Sequence, residues 1–353
     1  MRKVSIDTFY IHCIINILLV LAFNACNTPS IDDFEQVEHL TVYDSIYSDK
    51  DNPFNSISAM NIVDSVLITQ HVNDEYHFSL INVETGKLIR RWGKKGRGPE
   101  EYVETGSGFC IYKNQLVFLD ETQKHIDYVP LRELFQPGDS LHIKKEDFPY
   151  TVNFRPRHLI LLNNGYKIAP GCFKEGYFGV LDAANQIVEN HFDYPFTYHG
   201  IEGIYRGTVF QTKICAHPTN NRFVVYIPRS DVFEIYQMTG QQIERVYTSP
   251  FKHIPQIGKT GNRYGIEINK NIVGLMHGTV TDELICFAYS PEKDSDFYEK
   301  GGVYNEIYCF NWNGEKVKKY VLPFPICNFC INEEYIYGVR YVGYESVIYR
   351  FKL

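Results

Sequence analysis

Residues 91–126 read RWGKKGRGPEEYVETGSGFCIYKNQLVFLDETQKHI, and this stretch decides the fold. A glycine-rich segment leads into an apolar run, GFCIY, and then into a second run, QLVFLD, which ends in an acidic turn. Short runs of β-branched and aromatic residues, broken by Gly, Asn and Asp, are typical of strands joined by tight turns. The stretch therefore predicts a linker followed by strands of an antiparallel sheet.

The same unit recurs along the chain in degenerate form. A repeat of about 40–50 residues in an all-β chain indicates the blades of a propeller. Six blades are predicted, at residues 57–92, 106–146, 155–193, 209–248, 272–322 and 326–353. Thr239-Gly240 and Asn313-Gly314 are predicted as tight turns, because Gly and Asn tolerate the positive φ that such turns need. Helical periodicity is almost absent, and its best window, residues 129–135, covers one or two turns.

The two ends of the chain complement each other. The last predicted blade lacks a fourth strand, and residues 38–47, EHLTVYDSIY, form a strand with no blade of its own. We expect this segment to pair on the outer edge of the last blade, because closing the ring hides an edge that would otherwise be exposed. The predicted fold is an all-β, six-bladed β-propeller with four-stranded antiparallel blades, at residues 38–353. A pair of β-sandwiches is the alternative, but it gives no reason for the two ends to match.

The first 26 residues differ in kind from the rest. A short basic start precedes the apolar run IHCIINILLVLA, which is shorter than the roughly 20 residues of a membrane-spanning helix. Small Ala25 then precedes Cys26, which is the layout of a secretory signal and resembles a bacterial lipoprotein cleavage site. We expect a signal peptide at residues 1–25, a lipid on Cys26 and a tether at residues 26–37. The alternative is a buried N-terminal helix with an incidental cysteine.

Charge and cysteine usage exclude several classes of function. The formal net charge is −7, without basic blocks, so a nucleic-acid partner is not expected. Of nine cysteines, Cys13 and Cys26 lie in the signal and lipidation segments, which leaves seven at irregular spacing and no disulfide framework. We expect these to be free thiols that pack as small apolar groups. Cys327 and Cys330 lie three apart in a predicted strand and face opposite sides, so they predict no metal site.

Two segments of the opening stretch resemble a known repeat. Residues 92–102, WGKKGRGPEEY, resemble the linker between blades of NHL-repeat propellers, and residues 115–126 resemble the strands and acidic turn that follow it. With the lipoprotein-like start, the chain resembles the TolB-like six-bladed propeller lipoproteins of the Bacteroidetes. The resemblance implies a location in the cell envelope, lipid-anchored in the outer membrane on its periplasmic or cell-surface side. It implies no particular ligand or activity.

One face of the predicted propeller carries the candidate site. The loops between blades and those between second and third strands share this face, and here they are long and aromatic. The candidate ligand-binding residues are Arg97, Arg155, Tyr205, Arg206, Arg229, Arg263 and Arg340. Arginines that converge from several blades would bind a carboxylate, a sulfate or an acidic sugar, whereas the alternative is scattered surface arginines paired with acids. Further stacking candidates, which alternatively pack the loops together, are Tyr194, Tyr198, Tyr264, Phe297, Tyr298, Tyr341 and Tyr344.

These features predict a non-catalytic binding or scaffold protein without a cofactor. Its ligand would be a glycan, a peptide, an acidic small molecule or a partner protein on the long-loop face. The alternative is a propeller hydrolase or lyase that acts on a sugar or lactone, with calcium at the axis. His217 and His277, near the ends of successive inner strands, are expected to point to the opposite face and to be structural. No serine, cysteine or metal constellation indicates catalysis, so no catalytic or metal-binding residue is predicted.

Overall fold

The computed structural model describes residues 30–49, 57–98, 100–136, 138, 141–188, 192–198, 201, 203–261, 263–299, 304–342 and 345–353. The predicted signal peptide, Cys26 and the first residues of the predicted tether lie outside these ranges. The chain enters through β1 (Val37–His39) and β2 (Val42–Asp49). Among the described residues, no helix is both long and apolar enough to cross a membrane.

The first three blades follow in chain order. Blade one consists of β3 (Ile57–Val63), β4 (Val66–His71), β5 (Tyr76–Asn82) and β6 (Lys87–Lys94). Blade two consists of β7 (Thr105–Tyr112), β8 (Gln115–Asp120), β9 (His125–Pro130) and, after α1 (Leu131–Leu134), β10 (Lys144–Asp147). In blade three, β11 (Phe154–Pro156) and β12 (Ile160–Leu161) both pair with β13 (Lys167–Phe173), and β14 (Phe178–Leu181) and β15 (Ile187–Val188) follow.

The second half of the ring has larger insertions. After α2 (Gly203–Phe210), blade four consists of β16 (Lys213–Ala216), β17 (Arg222–Tyr226), β18 (Phe233–Thr239) and β19 (Gln242–Thr248). A hairpin, β20 (Ile257–Thr260) and β21 (Arg263–Ile266), and a 3₁₀ turn (Ile268–Lys270) lead to blade five. Blade five consists of β22 (Ile272–Val280), β23 (Leu284–Lys293), α3 (Asp294–Glu299), β24 (Tyr304–Asn311) and β25 (Lys316–Ile326). Blade six contains β26 (Asn328–Ile331), β27 (Tyr335–Val342) and β28 (Glu345–Lys352).

The six-bladed propeller predicted from the repeat is confirmed, and so is closure by the N-terminal strand. Strand β2 lies antiparallel to β28 as the outermost strand of blade six. Across this strand pair, the Arg350 guanidinium forms a bidentate ion pair with the Asp44 carboxylate. The start of the predicted closing segment behaves differently. Strand β1 runs parallel to β25 and adds a fifth strand to blade five, so the N-terminus ties two blades together rather than one.

The residue types of each strand and turn match their burial and backbone conformation in the blade. The second strand β4, VLITQH, is buried at every position because neighbouring blades cover both faces of the sheet. The outermost strand β19, QIERVYT, stays half exposed. The predicted turns have the required backbone, with φ of +60° at Gly240 and +83° at Gly314. In the acidic turn of blade two, Asp120 Oδ1 accepts the backbone N–H groups of Thr122 and Gln123 at 3.0 and 2.9 Å.

The aromatic residues of the opening stretch hold blades one and two together. Tyr102, 1% exposed, packs its ring against Trp92 and Phe118 with centroid distances of 5.6 and 5.2 Å. Its hydroxyl donates to Asp127 at 2.9 Å in the next blade. The linker that resembles that of NHL repeats therefore has a structural role here.

One expectation about the cysteines is wrong. Cys286 and Cys309 form a disulfide, because β23 and β24 place them directly opposite each other with Cα atoms 4.3 Å apart. Such a close approach occurs at the non-hydrogen-bonded pairs of an antiparallel ladder. The other described cysteines are free thiols, as expected: Cys110, Cys172, Cys215, Cys327 and Cys330.

The end of the predicted tether packs on the propeller. Ile31 and Phe34 are 1% and 9% exposed, and the ring of Phe34 lies 4.9 Å from that of Tyr308 in blade five. The ammonium of Lys316 donates to the Asp33 carbonyl at 2.8 Å. Residues 30–37 therefore belong to the folded domain.

Candidate functional site

The first strands of the six blades surround a channel along the axis. Strands β3, β7, β12, β16, β22 and β26 contribute to its wall, and its volume is about 750 Å³. One end of the channel lies among the turns that join first and second strands, with Asp64, Asn114, Asp282 and Glu333 at that mouth. This mouth is on the face opposite the long loops.

A second cavity, of about 460 Å³, lies on the long-loop face. We call it the loop-face pocket. It is lined by residues from inter-blade linkers and from loops that join second and third strands, among them Lys95, Glu104, Glu121 and Arg157. Its wall and the channel wall share Ser58 and Ser107. The two cavities therefore adjoin beside the axis, between blades one to three.

A chain of hydrogen bonds fixes the buried side of the loop-face pocket. The amide nitrogen of Gln70, a residue 1% exposed, donates to Thr105 Oγ1 at 3.0 Å and to the Gly106 carbonyl at 2.8 Å. His77 Nε2 lies 3.0 Å from the Tyr102 carbonyl, which makes this nitrogen the donor, so Nδ1 accepts from Thr105 Oγ1 at 3.2 Å. Burial lowers the pKa of His77 and keeps this neutral tautomer. The wall is therefore rigid and uncharged at its base.

An acid and a base face each other at the pocket opening. Arg157 Nη1 lies 3.6 Å from Glu121 Oε2, and their side chains are 52% and 10% exposed. Burial raises the pKa of Glu121 to about 7. The positive charge of Arg157 lowers this pKa, and the negative charges of Glu104 and Asp120 raise it. Arg157 is held in place by its backbone, since its carbonyl accepts from Ser107 N at 2.7 Å. The pocket thus offers a carboxyl poised near neutrality beside a permanent cation.

The predicted arginines lie in loops or strand ends of the long-loop face, but the loop-face pocket uses none of them. Arg229 Nε donates to Asp294 at 2.9 Å, Arg206 Nε donates to the Ile201 carbonyl at 3.2 Å, and the Arg340 guanidinium lies 4.8 Å from the centre of the Phe324 ring. The other three are exposed: Arg97, Arg155 and Arg263. The remaining candidate, Tyr205, is 47% exposed, with its ring 5.9 Å from that of Tyr264. A shared arginine site at the axis stays a prediction.

Several predicted stacking residues have structural partners. Tyr194 is 8% exposed and belongs to the core beside Phe210. The hydroxyl of Tyr198 bonds both backbone groups of Ile257, and that of Tyr341 accepts the Ile57 N–H at 3.1 Å. Tyr344 and the side chains of Phe297 and Tyr298 lie outside the described part of the chain.

The two histidines singled out from the sequence both line the axial channel. His217 lies at the turn-face mouth, where its ring packs 4.7 Å from Trp312 and its Nδ1 accepts the Thr219 N–H at 3.1 Å. These contacts give His217 the structural role that was expected. His277 lies deeper, and burial lowers its pKa well below the usual range. Within the described ranges, no group of three or more His, Cys, Asp or Glu side chains is placed to hold a metal ion.

Four charged or ionisable residues that line the two cavities were not predicted from the sequence. Arg157 and Glu121 lie in a linker and a short turn where charged residues are ordinary. Lys213 and His158 lie on the channel wall but flank apolar strands that read as core. One signal was available: first strands of a propeller line the axis, so a charged residue on a first strand, such as Lys213, faces the channel or the neighbouring blade.

Comparison with known proteins places the chain in a family without assigning an activity. No functionally curated protein matches its sequence significantly. A member of the DUF4221 family from Bacteroides vulgatus superposes with a TM-score of 0.56 at 10% identity, over 89% of this chain and 97% of that one. A Bacteroides fragilis protein described only as exported superposes with a TM-score of 0.51 at 12% identity, over 89% and 98%. The sequence profile of the TolB-like 6-blade propeller-like family matches residues 33–334, and the chain therefore belongs to the TolB-like six-bladed propellers.

Proposed function

We propose that this chain is an exported, lipid-anchored binding protein that takes a small polar ligand in the loop-face pocket. The observation that carries the proposal is the pocket itself, where Glu121 and Arg157 face each other at the opening above a rigid neutral base. Its volume of about 460 Å³ falls within the range of small-molecule sites. A binding role needs no further chemistry from these residues.

The charges of the pocket favour a ligand that carries both donors and acidic groups. Glu104 and Glu121 accept hydrogen bonds from ligand hydroxyl or amino groups, and Lys95 and Arg157 donate to ligand oxygens. A glycan with acidic or amino substituents and a short peptide both meet this description. The exposed arginines on the same face, Arg97, Arg155 and Arg263, would extend the contact to a longer ligand.

Three observations support export and anchoring. The start of the chain has the layout of a lipoprotein signal that ends at Cys26. The Cys286–Cys309 disulfide fits an oxidising compartment outside the cytoplasm. The Bacteroides fragilis protein of the same fold is described as exported. These observations support our proposal that the domain lies in the cell envelope, on the periplasmic or cell-surface side of the outer membrane.

The anchor would be short. The Ser30 carbonyl contacts the Lys316 ammonium of blade five four residues after Cys26, and four residues reach at most about 14 Å when fully extended. A lipid on Cys26 would therefore hold the propeller next to the membrane by the rim of blade five, where Ile31 and Phe34 are docked.

A thermal-shift screen of glycans and short peptides tests the binding proposal. A ligand at about 100 times its Kd stabilises the folded state by about 2.7 kcal/mol and raises Tm. Arg157→Gln should abolish that rise, whereas Arg132→Gln, an exposed arginine on the opposite face, should retain it. A rise that persists in Arg157→Gln, or no rise with any compound, would overturn the proposal.

A further inference from the structure

A lysine side chain lies inside the axial channel. Lys213, on the first strand of blade four, lines the channel, and its ammonium donates to the Met276 carbonyl of blade five at 3.1 Å. Among the described residues, no carboxylate forms an ion pair with it. An ammonium has three N–H donors, and the Met276 carbonyl accepts from one of them. The other two are open to the channel.

The groups around Lys213 do not supply the missing negative charge. Burial raises the pKa of both channel thiols, Cys110 and Cys215, to about 12, so these are neutral near pH 7. Burial and the charge of Lys213 lower the pKa of His158 to about 4 and that of His277 well below its usual range. Lys213 itself is lowered by burial to a pKa of about 8, which leaves it mostly protonated at neutral pH. Among the described residues, the deeper part of the channel therefore carries the positive charge of Lys213, while the carboxylates of Asp64, Asp282 and Glu333 lie at the turn-face mouth.

A second polar group in the channel also has no partner among the described residues. His158 Nε2 is buried without a hydrogen bond, while the ring bonds the Phe109 backbone through its other nitrogen. The ring lies against Gly108, where a Cβ atom would come within 2.9 Å of Nε2. Buried charges and polar groups are costly unless they are paired. In the described chain, the channel wall therefore carries the half-buried ammonium of Lys213, which has one backbone acceptor and no ion-pair partner, and the buried Nε2 of His158.

We propose that Lys213 binds the carboxylate of a small acidic ligand inside the axial channel. This site goes beyond the proposed function, since it lies in a different cavity and uses none of the residues of the loop-face pocket. A monoanion is favoured because one ammonium among neutral groups balances one negative charge. A dianion such as sulfate would leave a second charge unpaired in the interior. The channel volume of about 750 Å³ holds a ligand of hexose size.

Calorimetric titration of the full-length chain in detergent tests this site, with D-glucuronate as the probe and D-glucose as its neutral match. We expect glucuronate to bind at least about tenfold more tightly than glucose, and Lys213→Met to weaken glucuronate about 10- to 100-fold, the usual effect of losing a charged hydrogen bond. Lys87→Met, which removes an exposed lysine on an outer strand, is the matched control and should bind as the wild type does. Arg157→Gln, which removes a cation of the loop-face pocket, separates the two sites: binding that this variant loses belongs to that pocket, and binding that only Lys213→Met loses belongs to the channel.

A measurement on the wild-type chain keeps the proposal testable if Lys213→Met does not fold. Glucuronate should raise the titration midpoint of the Lys213 ¹³Cε resonance by about one pH unit, which corresponds to a tenfold change in affinity between charged and neutral lysine. Three results would overturn the proposal: no binding of glucuronate by the wild type, equal binding by Lys213→Met, or competition by sulfate as strong as glucuronate binding itself.

Discussion

The carboxyl group of Glu121 should make the stability of the protein depend on pH. Its folded-state pKa is raised to about 7 from an ordinary value of 4.5. Below pH 4.5 the group is protonated in both states and the full stability is present. As pH rises from 4.5 to 7 the unfolded chain releases this proton first, so stability is lost, and the loss is complete above the folded pKa.

The size of this loss follows from the same two values. The difference between about 7 and 4.5 corresponds to about 3 kcal/mol at 1.36 kcal/mol per pH unit, and screening by solvent at the pocket opening reduces it to about 1–2 kcal/mol. Glu121→Gln removes the ionisation. The variant should match the wild type at pH 4.5 and exceed it by about 1–2 kcal/mol at pH 8.

Urea unfolding at the two pH values measures the free energies directly. Glu84→Gln, which changes an exposed turn residue on the opposite face, is the control and should give the same difference from wild type at both pH values. Equal stability of Glu121→Gln and the wild type at pH 8 would show that Glu121 is solvated like a surface carboxylate, and the argument from burial would fail.

Three further outcomes are expected. Replacing Cys286 and Cys309 with serine should lower the free energy of unfolding by about 2–4 kcal/mol. In the wild-type chain without residues 1–26, denaturation alone should expose five reactive thiols, and denaturation with reduction should expose seven. Phe34→Ala should cost about 3 kcal/mol in urea unfolding, whereas a free tether would give no change. Cys26→Ser should release the protein from the membrane fraction, and mass spectrometry of the wild type should find a lipid-modified Cys26; an unmodified Met1 would contradict the anchor.

The fold was predictable because its signals are local. The turn glycines, such as Gly240 and Gly314, mark where strands reverse, and their positive φ is required wherever the turn occurs. Ring closure was predictable because the last blade lacked a fourth strand and the N-terminal segment formed a strand that belonged to no other blade. The division of that spare segment between β1 and β2 was not, because nothing in its sequence distinguishes the edge of blade five from that of blade six.

The candidate sites depend on neighbours that lie far away in the chain. The disulfide needed the register of β23 against β24, and cysteine spacing alone does not give that register. Glu121 and Arg157 are 36 residues apart and meet only because consecutive blades bring a turn and a linker together. Lys213 reads as an ordinary strand lysine until the neighbouring blade places a backbone carbonyl, and no described carboxylate, at its ammonium. Patterns of residue type give the ring, while the pairing of charges inside it is set by tertiary packing.

The charges at the two ends of the axis predict which way an acidic ligand reaches Lys213. The turn-face mouth carries three carboxylates, Asp64, Asp282 and Glu333, against one lysine, Lys113. The loop-face pocket carries two acids against Lys95 and Arg157, and its Glu121 is partly protonated near pH 7. An anion is therefore repelled more strongly at the turn face, and access from the loop face is favoured.

Stopped-flow kinetics with glucuronate separates the two routes. Arg157 would attract the ligand on its way in but would not touch it once it is bound to Lys213. Arg157→Gln should therefore slow association and dissociation by the same factor, about 3- to 10-fold at low salt, and leave Kd unchanged. Asp282→Asn should change neither rate if the turn face is not used. Faster association in Asp282→Asn, with Arg157→Gln unchanged, would instead place the route at the turn-face mouth, because a charge alters the rates only where the ligand passes.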